Sequence, residues 1–326
     1  MFYSKKIKVI LMMKVIFLVL LFILVIHLFY KYCIYKLMLS LGKYDFPIDV
    51  SNNELYKWDK LYYENKDAEG NYYDKVDYNS SKWCVNEKSH NAIILRPSYF
   101  HNTYYYETKI MDIKNDDVIL DCGFGNGDFC EYLMSNYKNI TYYGISNSKT
   151  QVDFVKNRFK NNKNINIIFD TYDNLKKHFN KPTINKVFFI ESHGYSNNRL
   201  ELFKQVYNLL LPGGKMYIKS PCFKPNTNKN IVKNNISVWA WNWSLVDANL
   251  YDMYKAGFSN IKYKNKNYSS LLISYSMKLF LSMIYVLFNL CNGYLYKKYN
   301  KFYTLPTYGL FKTAMNLDIL VSIAEK

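Results

Sequence analysis

The residues able to do chemistry gather in two short stretches of this chain. In VILDCGFGNGDF, Asp121 is followed by Gly123, Gly125 and Gly127, and then by an apolar run with helical spacing. Glycines at alternate positions let a backbone turn sharply and approach a ligand. The helix start beyond them supplies free N–H groups, and the aspartate a carboxylate for a hydroxyl or ammonium group. A dinucleotide site wants G-x-G-x-x-G and an acid closing the next strand. Here the spacing is D-x-G-x-G-x-G and the next strand ends in Gly144-Ile145-Ser146-Asn147, so NAD is disfavoured. The second stretch, FFIESHGYSNNR, offers Glu191, His193 and Tyr195, groups suited to taking up a proton or stabilising a developing cation. Each also has a plainer reading: Glu191 as a carboxylate that caps the next turn, His193 and Tyr195 as loop residues facing solvent.

The elements that must position these groups are legible in the hydrophobic pattern. From Asp117 onward, short apolar runs alternate with amphipathic ones, the pattern of a parallel sheet wrapped by helices. Strands are predicted at Val118 to Asp121, Ile140 to Ile145, Ile165 to Phe169, Lys186 to Glu191, Lys215 to Lys219, Ile261 to Lys264 and Leu317 to Ile323. Helices are predicted near Gly127 to Ser135, Lys149 to Lys160, Arg199 to Leu211 and Leu245 to Ala256. Right-handed crossovers make this an α/β fold, a doubly wound, seven-stranded, mostly parallel sheet whose ligand belongs at the strands' C-terminal edge.

LDCGFGNG closely resembles the first motif of the class I S-adenosylmethionine-dependent methyltransferases. The resemblance continues in order along the chain. GISNSKTQ is similar to the signature of the branch containing cyclopropane-fatty-acid synthases and sterol, tocopherol and terpenoid methyltransferases, which implies that Ser146 and Gln151 help hold the cofactor. FDTYDNL resembles the adenine-binding segment, implying Tyr172 against the adenine face and Asp173 near its exocyclic amine. LLLPGGKMYI, WNWSLVDANLYDMYKAGFSNIKY and LDILVSIAEK resemble the turn before the fifth strand, the next helix and strand, and the last strand, so that roughly Tyr78 to Lys326 is covered. The implied cofactor is S-adenosyl-L-methionine, held by Asp121, Gly123, Gly125, Gly127, Ser146, Gln151, Tyr172 and Asp173. ESHGY looks like the E-S-x-x-Y of terpenoid C-methyltransferases, implying Glu191 as the group that takes up the proton lost after an alkene is methylated. Two departures stand out: Phe124 where the family has a small residue or cysteine, and no acid at the end of the second strand.

Outside this region, Val9 to Tyr30 is an apolar run interrupted only by Lys14 and His27, and as a helix it spans about 33 Å. No small-residue cleavage site follows it, so it reads as a retained membrane anchor rather than a signal peptide. Lys5, Lys6 and Lys8 before it are matched by Lys31, Lys36 and Lys43 after it, and the flanks do not orient it. A weaker apolar stretch, Leu271 to Tyr294, reads either as a helix packed on the domain or as one dipping into lipid headgroups. The predicted organisation is an anchor and flank over 1–44, a connecting and lid-forming region over 45–110, and the methyltransferase domain over 111–326, with an apolar helical insertion at about 269–298. Tyr78, Trp83, Cys84, His90 and His101 precede the domain's core in the segment expected to fold over the cofactor, whereas Trp241 and Trp243 read as core.

Composition narrows the partners. The 326 residues are 49% hydrophobic and 21% charged, an ordinary globular balance that excludes a wholly disordered or many-pass membrane chain. The formal charge is +17, yet the only arginines are Arg96, Arg158 and Arg199, and the lysines are scattered. Phosphate and base recognition wants arginine forks and clustered charge, so a nucleic-acid partner is not expected. Six dispersed cysteines with no C-x-x-C pair signal neither a zinc module nor a disulfide scaffold, and no metal ligand set is assigned. The expected protein is a membrane-anchored methyltransferase with its catalytic domain facing the cytosol, where the cofactor is made. Its expected acceptor is hydrophobic or lipid-like: a sterol, a prenyl chain, a fatty acyl chain or a lipid head group. A non-catalytic tethered scaffold, and an enzyme modifying a protein or a small molecule, remain the alternatives; acceptor atom and oligomeric state are not legible.

Overall fold

The computed structural model describes residues 41–44, 51–65, 103–239, 242–267 and 317–326. In chain order the strands are β1 (Gly42–Lys43), β2 (Val118–Cys122), β3 (Thr141–Ser146), β4 (Ile165–Phe169), β5 (Ile184–Ile190), β6 (Leu210–Phe223), β7 (Ser259–Asn267) and β8 (Leu317–Glu325). The helices are α1 (Asn52–Leu55), α2 (Lys57–Asn65), α3 (Thr103–Met111), α4 (Asp128–Asn136), α5 (Lys149–Arg158), α6 (Leu175–His178), α7 (Arg199–Leu209), α8 (Lys229–Trp239) and α9 (Val246–Lys255). All strands form one sheet in the order β1-β7-β8-β6-β5-β2-β3-β4. From β4 through β3, β2 and β5 to β6 every pairing is parallel; β8 lies antiparallel between β6 and β7.

The sheet therefore has eight strands among the described residues, not seven. The extra one is β1, two residues paired antiparallel with β7 and fixed by Tyr44, whose N–H donates to the Ile261 carbonyl at 3.1 Å and whose buried ring meets Tyr263 edge-on. So short a strand leaves no alternation to detect. The long β6 runs four residues past the predicted end because β8 pairs with it as far as Phe223 opposite Leu317.

Both faces of the sheet are covered, as parallel strands without a polar face require. One face packs Leu202, Phe203 and Val206 of α7 and Leu250 and Met253 of α9 against Val187, Phe189 and Ile218. The other packs Phe129 and Leu133 of α4 and Val152 and Val155 of α5 against Ile119, Tyr142 and Phe188. A third cluster sits at the side, where Trp58, Leu61 and Tyr62 of α2 meet Val232 and Ile236 of α8, Phe223 and the buried Trp243. Helices α1 and α2 come from a stretch with no clear period. Ser51 caps the first by accepting from the Glu54 N–H, and the second is tied down by Asp59, which accepts from Arg199 Nη1 (2.8 Å), Asn242 Nδ2 (2.8 Å) and the Ser244 hydroxyl. Tertiary partners far along the chain, not local propensity, hold them.

The apolar run 9–30, the stretch 271–294 with the insertion at 269–298, and Tyr78, Trp83, Cys84, His90, His101 and Trp241 lie outside the described residues. Among the described residues no helix is long and apolar enough to cross a membrane.

Candidate active site

The carboxyl ends of β2, β3, β4 and β5 share one edge of the sheet, and the loops leaving them build the site. The loop after β2 is left-handed at each glycine, with φ of 88° at Gly123, 59° at Gly125 and 82° at Gly127. These three glycines have different duties. A Cβ on Gly123 would stand 2.6 Å from Ser192 Cβ, and one on Gly127 would stand 3.0 Å from the Phe159 ring and 3.2 Å from a Val155 methyl, so these two permit close packing of neighbouring chain. Gly125 meets nothing within 4 Å. It is the open face of the loop, the place where a ligand can lie against bare backbone.

Asp121 is buried just beneath this loop, and its Oδ2 accepts from the Tyr142 hydroxyl at 2.7 Å. Burial first, and the adjacent Asp121 charge second, push that hydroxyl's pKa far up, so Tyr142 stays a proton donor to the carboxylate. After β3 the structure brings Ser146 and Gln151 together: the serine hydroxyl donates to Gln151 Oε1 at 3.0 Å and accepts from the Ser148 N–H at 3.2 Å. Ser148 caps α5.

Tyr172 and Asp173 work first as ties between loops. The Tyr172 ring is buried edge-on to Phe189 at 5.8 Å, and its hydroxyl donates to the Ser192 carbonyl. Asp173 accepts from the Ser196 hydroxyl at 2.5 Å and from the N–H and side-chain amide of Asn197 at 3.0 and 3.1 Å. Ser192, expected at this sheet edge beside Glu191 but given no role of its own, is the knot of the arrangement: its hydroxyl donates to the Cys122 carbonyl, and its Cβ fills the space that Gly123 leaves.

Glu191 closes β5 with φ of 55°, a left-handed conformation that costs a non-glycine residue about 1–3 kcal/mol. Its N–H donates to the Lys219 carbonyl at 2.8 Å, so the bend is held by the neighbouring strand, and its side chain is partly exposed at the edge. His193, expected either as an acid or base or as a solvent-facing residue, is neither. It lies in the core at 1% exposure, its ring stacked 6.2 Å from Phe203 and its Nε2 2.7 Å from Asn249 Oδ1. Burial, helped by the Arg199 charge, holds its pKa down at about 3, so near pH 7 it is neutral, keeps a single ring N–H and is a weak proton acceptor. Tyr195 is half-buried against two of the hydrophobic clusters.

Behind Glu191 lies a second polar group. Glu107 of α3, fully buried, accepts from Lys219 Nζ of β6 at 3.0 Å. Tyr217, also fully buried, has its hydroxyl pKa pushed far up by burial first and then by the charges of Glu107 and Glu191. This pair fastens the helix that precedes the domain to the strand beside the site.

The buried carboxylate, the three-glycine turn and the open face at Gly125 fit a cofactor that presents a hydroxyl or ammonium group and lies close against backbone. Comparison with known proteins agrees. Residues 113–272 match the methyltransferase-domain family. Phosphoethanolamine N-methyltransferase 3 of Arabidopsis thaliana is 25% identical over 178 residues, covering 54% of this chain but only 35% of the relative. Phosphoethanolamine N-methyltransferase 2 of Haemonchus contortus, solved with S-adenosyl-L-methionine, shares the fold at a TM-score of 0.59 and 15% identity, over 78% of this chain and 58% of its own. A cyclopropane synthase of Mycobacterium tuberculosis shares it at 0.56 and 14%, over 78% and 95%. Residues 113–272 thus match a methyltransferase domain, and the fold is shared with a methyltransferase solved with S-adenosyl-L-methionine.

Proposed function

We propose that this chain methylates a hydrophobic or lipid-like acceptor, with Asp121, Gly125, Ser146 and Gln151 against the cofactor and Glu191 facing the acceptor. S-adenosylmethionine supplies a methyl group already activated on a sulfonium, so the protein's task is to align the two molecules and deal with a proton. The observation that carries the reading is the placement of Glu191. It adjoins Ser192, which packs against Gly123, and it stands partly exposed at the sheet edge on a strained backbone where glycine would sit without cost.

Two acceptor chemistries use such a carboxylate. An amine, as in a lipid head group or its phosphorylated precursor, must lose a proton before or after it is methylated, and the likeness to phosphoethanolamine N-methyltransferases supports this reading. An alkene carbon loses a proton after methylation, and the ESHGY segment and the likeness to a cyclopropane synthase support that one. Labelled S-adenosylmethionine is incubated with the full chain and, in separate arms, phosphoethanolamine, total membrane lipid and prenyl diphosphates. Label in phosphoethanolamine or in lipid head groups favours amine methylation, and label in a prenyl or acyl chain favours carbon. No labelled product in any arm overturns the lipid-like reading.

Membrane attachment through residues 9–30 belongs to the same proposal, because a tether places the domain where a lipid acceptor is concentrated. The full chain then resists carbonate extraction, a chain starting near Asp45 is released far more readily, and the domain is digested by protease added outside sealed cytosol-facing vesicles. Release of the full chain by carbonate, or protection of the domain, removes this part.

A further inference from the structure

We propose that Arg158 is the positioning residue of the cofactor loop, resting on the reading that the open face at Gly125 receives S-adenosylmethionine. Arg158 is the last residue of α5, on a different crossover from the loop it touches. Its Nη1 donates to the Asn126 carbonyl at 2.7 Å and to Asp128 Oδ1 at 2.8 Å, and its Nη2 donates to Glu131 Oε2 at 2.7 Å. Asn126 sits between Gly125 and Gly127, so one of these bonds falls on the backbone of the glycine turn itself.

The peptide unit joining Asn126 to Gly127 is thereby held at both ends. Its carbonyl is bound by Arg158, and its N–H donates to the Phe124 carbonyl at 3.0 Å, closing the turn around Gly125. Asn126 adds a side-chain bond to Asp128 Oδ2 at 2.9 Å. Behind Gly127, Val155 and Phe159 form an apolar wall, and the guanidinium of Arg158 lies 5.3 Å from the Phe159 ring centre. The rear of the loop is thus clamped by the last turn of α5, and the face left clear is the one at Gly125.

The clamp answers a specific problem. A run of left-handed glycines has great conformational freedom when unbound and no side chains to restrain it, and ordering it on binding costs affinity. An external tie supplies that order beforehand. Only a planar fork reaches a carbonyl and two carboxylates together, and this chain, whose positive charge is almost all lysine, places one of its three arginines here.

The test measures S-adenosylhomocysteine affinity by calorimetry on the full chain, with unliganded melting temperature, kcat and both KM values. Arg158→Met is expected to weaken cofactor binding about tenfold or more and to raise the cofactor KM in step. The acceptor KM, and kcat at saturating cofactor, should stay within about twofold, and the unliganded melting temperature should move little. Arg158→Lys, which reaches one acceptor at a time, falls between Met and the wild type. It also carries the test should the Met variant fail to fold. Glu131→Gln, which weakens only the outer ion pair, should change affinity less than threefold. Unaltered affinity in both Arg158 variants overturns the proposal, as does an equal loss in Glu131→Gln or a loss that tracks melting temperature and acceptor KM together. A wild-type chain that does not bind S-adenosylhomocysteine refutes the reading of the loop as the cofactor site, an outcome distinct from failure of the clamp.

Discussion

The ring of Phe124 closes over Gly144: Phe124 Cδ1 lies 2.8 Å from the point where a Cβ on Gly144 would stand. This accounts for a large residue inside the glycine turn. The phenyl group does not occupy the open face; it folds down onto the neighbouring strand β3, which is bare at that position, and is buried there against the Tyr142 ring and Ile167. The two residues should therefore be coupled. Gly144→Ala is expected to cost about 1–3 kcal/mol by overpacking, Phe124→Leu about 1 kcal/mol, and the double variant clearly less than the sum. Urea unfolding of the four proteins measures this, and strict additivity would break the proposed fit.

The glycines of the loop should separate by function. Gly125→Val points into open space, so the protein should fold with a loss of about 1–2 kcal/mol from its left-handed backbone and yet show no heat on titration with S-adenosylhomocysteine. Gly123→Ala collides with Ser192 and should lose stability first, with cofactor affinity falling only as the folded fraction falls. Full cofactor affinity in a folded Gly125→Val protein would remove this site.

Glu191 should trade stability for turnover. Glu191→Gln keeps the shape and removes the charge, so kcat should fall roughly 10²-fold with little change in cofactor affinity. Glu191→Gly relieves the left-handed strain and should raise stability by about 1 kcal/mol while abolishing turnover. Retained turnover in the Gln variant sinks Glu191 as the proton acceptor, and a Gly variant less stable than the wild type shows that the side chain is structural.

His193 should make the fold acid-sensitive. Its native pKa of about 3 lies below the ordinary histidine value of 6.5, so between these limits the unfolded chain binds a proton that the native protein does not. Stability from this group is therefore complete above pH 6.5 and is lost as pH falls toward 3, with about 2 kcal/mol gone between pH 7 and pH 5. Denaturation midpoints at the two pH values, compared between the wild type and His193→Gln, isolate the term. An equal pH dependence in both proteins contradicts a buried neutral imidazole.

The order of the elements was legible because it depends on local pattern: short apolar runs alternating with amphipathic ones, a turn that only glycines can make, and a helix start beside it. What stayed hidden depends on distant partners. His193 read as a polar loop residue because nothing nearby announces Asn249, which receives its Nε2 from α9. Tyr172 and Asp173 were assigned to the adenine, and nothing near them in sequence announced their ties to Ser192, Ser196 and Asn197 in the next loop. The unread clue was arginine itself. In a lysine-dominated chain, Arg158 and Arg199 both serve several acceptors at once, the latter donating to Asp59 at 2.8 Å and Asp252 at 2.6 Å from within the core.

The place of β8 governs how this domain can be assembled. Leu317–Glu325 lies between β6 and β7, pairing Met216 with Ala324 and Lys262 with Ile323, contacts very distant in the chain. Closing such loops is slow, and the parallel strands can gather beforehand. Until residue 317 has been synthesised, β6 and β7 have no strand between them and each presents an unpaired edge, the kind of surface that recruits other chains. A nascent polypeptide thus passes the interval between synthesis of β7 and synthesis of β8 with the sheet split. Its exposure to aggregation and proteolysis is set by how promptly nine residues slot into the gap.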